Sequence, residues 1–164
     1  MIRNKGLLIC TFFMVFILYG FQTAKDKAVY KCMIQMKNHS GQGAYIVVSL
    51  LDNESRYIET LYIQGNDDEW YSEITEWWKF QGKYRANVDA ISGATVGAGQ
   101  RSIHSFTIDT SFFDKGYKIR FETAVEDKEY FSNDIEIELS SVDVLQGKIE
   151  GKGYIRYIRL IPQF

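Results

Sequence analysis

The sequence is poor in the residues that build cofactor-free active sites. It holds two cysteines, two histidines and a single proline in 164 residues. Cys10 lies inside an N-terminal apolar run, so a chain that has lost that run keeps only Cys32 and can form no internal disulfide. Cys32 sits among alternating apolar neighbours in "AVYKCMIQMK" and reads as a buried strand residue. With only His39 and His104, a metal centre would have to draw most of its ligands from carboxylates. No acid spacing forms a calcium loop, and neither the dinucleotide fingerprint nor the P-loop pattern occurs. Ser92 lacks the glycine two residues earlier that a nucleophile elbow uses. Hydrolysis is therefore poorly supported. Charge of one sign is scarce too: the formal net charge is −2, which gives no reason to expect nucleic acid or an anionic membrane as partner.

What the chain does have is apolar and aromatic substance. Hydrophobic residues make up 46% and aromatics 15%, enough for a packed core in one domain. Arg3 and Lys5 precede an uncharged apolar run from Gly6 to Phe21, followed by Gln22-Thr23-Ala24 and a charged stretch. That order predicts a signal peptide over 1–24, cleaved after Ala24, and an exported domain over 25–164. The run is short for a membrane span, which needs about 20 apolar residues. Removing it takes away two basic residues and no acid, moving the formal net charge to −4.

The remainder reads mostly as strands: "VYKCMIQMK", "AYIVVSLLD", "RYIETLYIQ", "SIHSFTID", "YKIRFETAVED", "DIEIELSS" and "GYIRYIRLI", separated by turn signals. "AYIVVSLLD" is almost continuously apolar, whereas "DIEIELS" alternates and predicts one wet face and one core face. Even spacing of such runs predicts an all-β, immunoglobulin-like sandwich, without the Cys…Trp…Cys pattern of antibody domains. One segment breaks the rhythm. In "DEWYSEITEWWKFQGK", Trp70, Ile74, Trp77 and Trp78 recur at helical spacing, with Gly82 placed to cap the end. This predicts a short inserted helix that lays an aromatic face on the sandwich, with one tryptophan as a possible stacking platform.

Directly after it comes the smallest and most open stretch of the chain, "VDAISGATVGAG" (88–99). On residue types alone it is a connector. However, Asp89-Ala90-Ile91-Ser92-Gly93-Ala94-Thr95 resembles the acceptor motif D-x-x-S/T-G-A-T/S on which a periplasmic FMN transferase places flavin, as in FMN-binding subunits of sodium-pumping quinone reductases. All five constrained positions match. The resemblance implies FMN held through a phosphoester on Thr95. Gly93 and Ala94 would let the backbone enter the transferase, with Ser92 in the motif and Asp89 orienting the loop. Trp77, Trp78, Arg85, Arg101 and His104 are further candidates for the cofactor site. Arg85, Arg101 and Lys83 flank the loop and would neutralise phosphate charge or stand as solvated surface cations.

A second resemblance spans nearly the whole exported part. Arg56, Thr60 and Leu61 in an "R-x-x-x-T-L" strand, Trp77 and Trp78 in a helix, and Val88 to Thr95 in the loop are similar to a family of predicted periplasmic proteins of unknown function. That resemblance implies an immunoglobulin-like fold and association with membrane redox systems and the FMN transferase. The second hydroxyl pair of the quinone-reductase subunits is replaced here by Val96-Gly97-Ala98, leaving Thr95 as the acceptor. The reading is an exported electron carrier with covalent FMN, not a stand-alone catalyst, whose partners are the transferase and a membrane redox protein. The alternative is a cell-envelope immunoglobulin-like module that binds protein or glycan without a cofactor.

Overall fold

The computed structural model describes residues 26–65, 67–84, 91–140 and 147–163, with the side chains of Lys83 and Tyr84 excepted. The expected signal segment, the first half of the acceptor motif through Ala90, and Arg85 lie outside the described residues. Strands form where the sequence alternates or is continuously apolar. They are β1 (Lys27–Met36), β2 (Tyr45–Leu51), β3 (Tyr57–Gln64), β4 (Ser92–Gly93), β5 (Arg101–Asp109), β6 (Lys118–Ala124), β7 (Phe131–Glu138), β8 (Ile149–Glu150) and β9 (Ile155–Gln163). They make a four-stranded sheet, β5-β1-β9-β8, and a five-stranded sheet, β4-β3-β2-β6-β7. The pairings are antiparallel apart from the short β3–β4 pair.

The two sheets pack face to face, as an all-β sandwich requires. Tyr30, Cys32, Ile34 and Met36 alternate inward along β1, and Ile46, Val48 and Leu50 face them from β2. Cys32 is fully buried and unpaired, and burial pushes its thiol up to about 12. It is inert core, as its neighbours predict.

β2 is buried at every position because it is covered on both sides. Its other face, Tyr45 and Val47, packs under a 3₁₀ turn (Asp68–Glu73) and the helix α1 (Thr75–Tyr84). Tyr71, Ile74 and Trp77 fill this second core. The predicted single helix is thus two pieces, broken at Ile74, whose ψ of 69° leaves the helical region. Gly82 lies within α1 rather than after it, with only the Trp78 ring nearby.

One buried acid departs from the wet-face expectation, and a second lies beneath α1. Asp134 of "DIEIELS" is fully buried, accepting from Thr123 Oγ1 at 2.7 Å and from the backbone N–H groups of Gly153 (2.7 Å) and Ile155 (2.9 Å). It ties β7 to the start of β9, so hydrogen bonds replace the water that alternation assigned it. Glu122 of β6 is buried beneath α1, accepting from Tyr57 Oη at 2.5 Å, from Tyr130 Oη and from the backbone N–H of Trp77. Burial raises its carboxyl to about 7. Trp77 lies in the first turn of α1, where orphan N–H groups favour an anionic acceptor.

Candidate functional site

The described part of the acceptor motif, Ile91 to Thr95, runs along the β3 edge of the five-stranded sheet, and the chain enters the four-stranded sheet only at Arg101. Each end is fixed by an aliphatic anchor. Ile91 packs into the aromatic layer beneath α1, and Val96 is buried in the core between the sheets. Backbone pairing holds the segment in register. Ser92 and Gly93 pair in parallel with Ile63 and Gln64, Gly65 N–H donates to Gly93 O at 2.5 Å, and Val96 and Ala44 exchange both bonds at 3.0 and 2.7 Å. Between these fixed points Ala94 and Thr95 are exposed. The loop is therefore a held display, with its hydroxyl-bearing residue outward.

Two close approaches explain the lack of side chains here. A Cβ on Gly43 would stand 2.5 Å from Thr95 Oγ1, and one on Gly93 would stand 2.5 Å from Tyr62 Oη. Both distances are shorter than van der Waals contact allows, so each glycine keeps room for a neighbour's oxygen. Gly43 clears the Thr95 hydroxyl, and Gly93 clears Tyr62.

Tyr62 also stacks on His104, with centroids 4.0 Å apart and planes 19° apart, linking β3 to β5 beside the loop. His104 Nε2 is buried without a hydrogen-bond partner, and burial lowers the imidazole to about 4. It is neutral at pH 7 and a weak base. Gln64, 5% exposed, donates to Ala94 O at 3.3 Å and accepts from Ser102 Oγ at 2.8 Å, making the second link between the strands. The loop's far end is fastened by Gln35, whose Nε2 donates to Gly99 O at 2.8 Å and Gln100 O at 3.2 Å.

The candidate residues thus fall into groups. Ser92, Gly93, Ala94 and Thr95 come together with His104 through Tyr62. Arg101 is exposed where the loop enters β5, its Nε donating to Gln35 Oε1 at 3.2 Å. Trp77 is fully buried and its indole N–H donates to Thr60 Oγ1 at 2.9 Å, so it serves the aromatic core and offers no ring face to a ligand. Trp78, 37% exposed, tilts against Trp77 and Tyr71 on the outside of that layer. Asp89 and Arg85 lie outside the described residues. Sequence reasoning missed Gly43, Tyr62, Gln64 and Gln35, which are distant from the motif and reach it only through strand pairing. The one signal was the buried-strand setting of Gln64, a polar residue ending an apolar run.

Among the described residues those packed about the loop, Gly43, Tyr62, Gln64 and the weakly basic His104, offer no strong base, so Thr95 would be a nucleophile only when an external base takes its proton. Among the described residues no three His, Cys, Asp or Glu side chains gather as metal ligands, and no helix is long and apolar enough to cross a membrane.

Comparison with known proteins gives one family. The profile of the predicted periplasmic proteins DUF2271 matches residues 27–157, most of the chain, and the chain belongs to that family. The family's description sets this chain in the periplasm as an exported protein. No curated protein and no solved structure matches.

Proposed function

We propose that this periplasmic chain is an electron carrier bearing FMN as a phosphoester on Thr95, loaded by a separate FMN transferase. The observation that carries the reading is the exposure of Thr95 at the end of a complete acceptor motif, between the partly buried Ile91 and the buried Val96. The residues present fit such a group. Thr95 and the small Ala94 beside it are exposed, and Gly43 lacks the side chain that would crowd the Thr95 oxygen.

In the loading reaction Thr95 Oγ attacks the FMN-side phosphorus of FAD. A new phosphorus–oxygen bond forms, the bond to the AMP half breaks, AMP leaves, and the hydroxyl proton passes to a base on the transferase. Ser92, Gly93 and Ala94 would set the narrow approach, and Asp89 is the acid of the motif in the sequence. Arg101, exposed where the loop enters β5, would offset phosphate charge. His104, neutral and stacked on Tyr62, keeps the loop's inner side uncharged. Bound FMN supplies the redox chemistry, while the protein supplies position and electrostatics. We read the sandwich as immunoglobulin-like and the electron-exchanging partner as a membrane redox protein.

The test is the intact mass of the protein exported from cells that also make the transferase, beside a Thr95→Ala control. The expected result is a gain of FMN less one water that disappears in the control. An unmodified mass, from cells that do load a known acceptor, overturns the carrier and leaves the cell-envelope module binding protein or glycan.

A further inference from the structure

We propose that β5, the open edge of the four-stranded sheet, pairs antiparallel with β5 of a second copy across a twofold axis at Ser105. The inference stands apart from what Thr95 carries.

The two sheets end in four strands, β5 and β8 in one and β4 and β7 in the other. Three of these edges are blunted. β4 and β8 are two residues long. β7 carries Asp134, Glu136 and Glu138, and its ladder with β6 is broken by a register shift between Phe121 and Thr123. Short length, charge and irregularity are what keep an edge from adding strands. β5 has none of the three. It is nine residues long, its register with β1 is unbroken from Arg101 to Asp109, and charges stand only at its two ends.

The backbone of this edge is unused. In an edge strand, alternate residues turn both N–H and C=O away from the neighbouring strand. From Ser102 to Ile108, among the described residues, no backbone group bonds anything outside the β1 ladder. An unpaired edge of this length is a template for another strand.

The side chains select which strand. Read antiparallel about Ser105, the sequence of β5 is complementary to itself. Arg101 stands opposite Asp109 of the second copy, and the same pair recurs at the far end. Ile103 stands opposite Thr107, two β-branched residues suited to a cross-strand pair. Arg101, Ile103, Ser105 and Thr107 are exposed, and all lie on the outward side of the strand. A slip of one residue would set outward side chains of one copy beside inward side chains of the other. A slip of two would take both carboxylates away from both guanidinium groups. The register is thus specified by charge at each end.

Within one copy Lys27 stands opposite Asp109, and Asp109 Oδ1 accepts from Ser111 N–H at 2.8 Å. A carboxylate takes several donors, so the pair across the seam adds to these contacts. Pairing over the nine residues makes about eight to ten backbone bonds along roughly 30 Å, the scale of a weak, concentration-dependent dimer. The seam lies beside the acceptor loop, because Gln64 donates to Ala94 O and accepts from Ser102 Oγ on β5.

The experiment is sedimentation velocity of the exported protein from low micromolar to several hundred micromolar, joined to cross-linking that reads the register. Wild type should pass from monomer to dimer across this range. Arg101→Glu sets two carboxylates against each other at both ends, so its dimer should dissociate at about tenfold higher concentration or more. Lys115→Glu makes the same charge change at an exposed turn away from β5 and should dimerise like wild type. In oxidised glutathione, Ser105→Cys should join two copies through a disulfide, because that position faces itself. Thr107→Cys faces Ile103 and should join few, and the buried Cys32 does not compete. A wild type that stays monomeric overturns the pairing and leaves the edge to a strand of another protein. Equal dissociation of Arg101→Glu and wild type, or linking at Thr107 as fast as at Ser105, overturns the register and the proposal with it.

Discussion

The two sheets finish their outward faces in opposite ways. The five-stranded sheet carries a roof of aromatics, with Tyr71, Ile74 and Trp77 over Tyr45, Val47 and Ile63, and it buries a carboxylate beneath that roof. The four-stranded sheet has no such layer among the described residues, and leaves Val29, Ile103 and Ile161 in solvent. The cause is written into the strands. β2 is apolar on both sides, so it needs cover twice, while β1 alternates and needs it once. The cover comes from the β3–β4 connection, the one segment with helical spacing of tryptophans.

The largest effect should come from removing the roof. Trp77→Ala deletes a fully buried side chain and leaves Thr60 without its indole donor. The expected loss is about 3–5 kcal/mol in urea unfolding. A loss below about 1 kcal/mol would mean that α1 lies loosely on the sheet and that the contrast between the faces is slight.

Next comes a pair of opposed pH effects, one from under the roof and one from the loop edge. Burial raises Glu122 from 4.5 to about 7, so between those values the folded chain holds a proton that the unfolded chain releases. Its contribution is present on the acid side and is lost as pH rises through about 7, an effect of about 3 kcal/mol. Burial lowers His104 from 6.5 to about 4, so there the unfolded chain binds the extra proton. That contribution is present above 6.5 and lost as pH falls toward 4, and partial exposure of the ring makes it the smaller of the two. Glu122→Gln should leave a stability that rises with pH from 4.5 to 6.5, and His104→Asn one that falls. Unfolding midpoints measured across that window decide the matter, and parallel profiles for the two variants would refute the assignment.

These two groups also mark the limit of what residue patterns convey. The sandwich, its strands, the buried Cys32 and the aromatic insertion were legible because period-two and helical spacing report which side of an element faces apolar surroundings. Glu122 and Asp134 were not, because alternation assigns a charge to water and says nothing of tyrosines or backbone N–H groups arriving from distant strands. In the site, the motif named Ser92 to Thr95 but not Gly43 or Tyr62, which meet it only through the Ala44–Val96 bridge and the β3–β4 pair. Trp77 was legible as aromatic but not as core or platform, a choice its hydrogen bond to Thr60 makes.

A smaller effect probes the edge where the faces meet. Gly93→Ala places a Cβ 2.5 Å from Tyr62 Oη but 3.6 Å from its ring carbon. The clash is thus with the oxygen alone, and should cost about 1–3 kcal/mol. Tyr62→Phe removes that oxygen, so the double variant should recover most of the loss, with a coupling that a double-mutant cycle reads directly. Purely additive losses would show that Gly93 serves backbone conformation and not the room for Tyr62.

The smallest effect belongs to the bare face, and its smallness is the point. Ile103 is 54% exposed, and Ile103→Thr keeps the β-branch that an edge strand favours. Folding stability should change by no more than about 0.5 kcal/mol, in contrast to Trp77→Ala on the roofed side. The decisive control is concentration. A loss of stability in Ile103→Thr that grows as the protein is concentrated would mean that wild type covers this face with its own copies, beyond the pairing along β5. A loss that is the same at every concentration keeps the face open, and leaves Val29, Ile103 and Ile161 exposed for a reason other than folding.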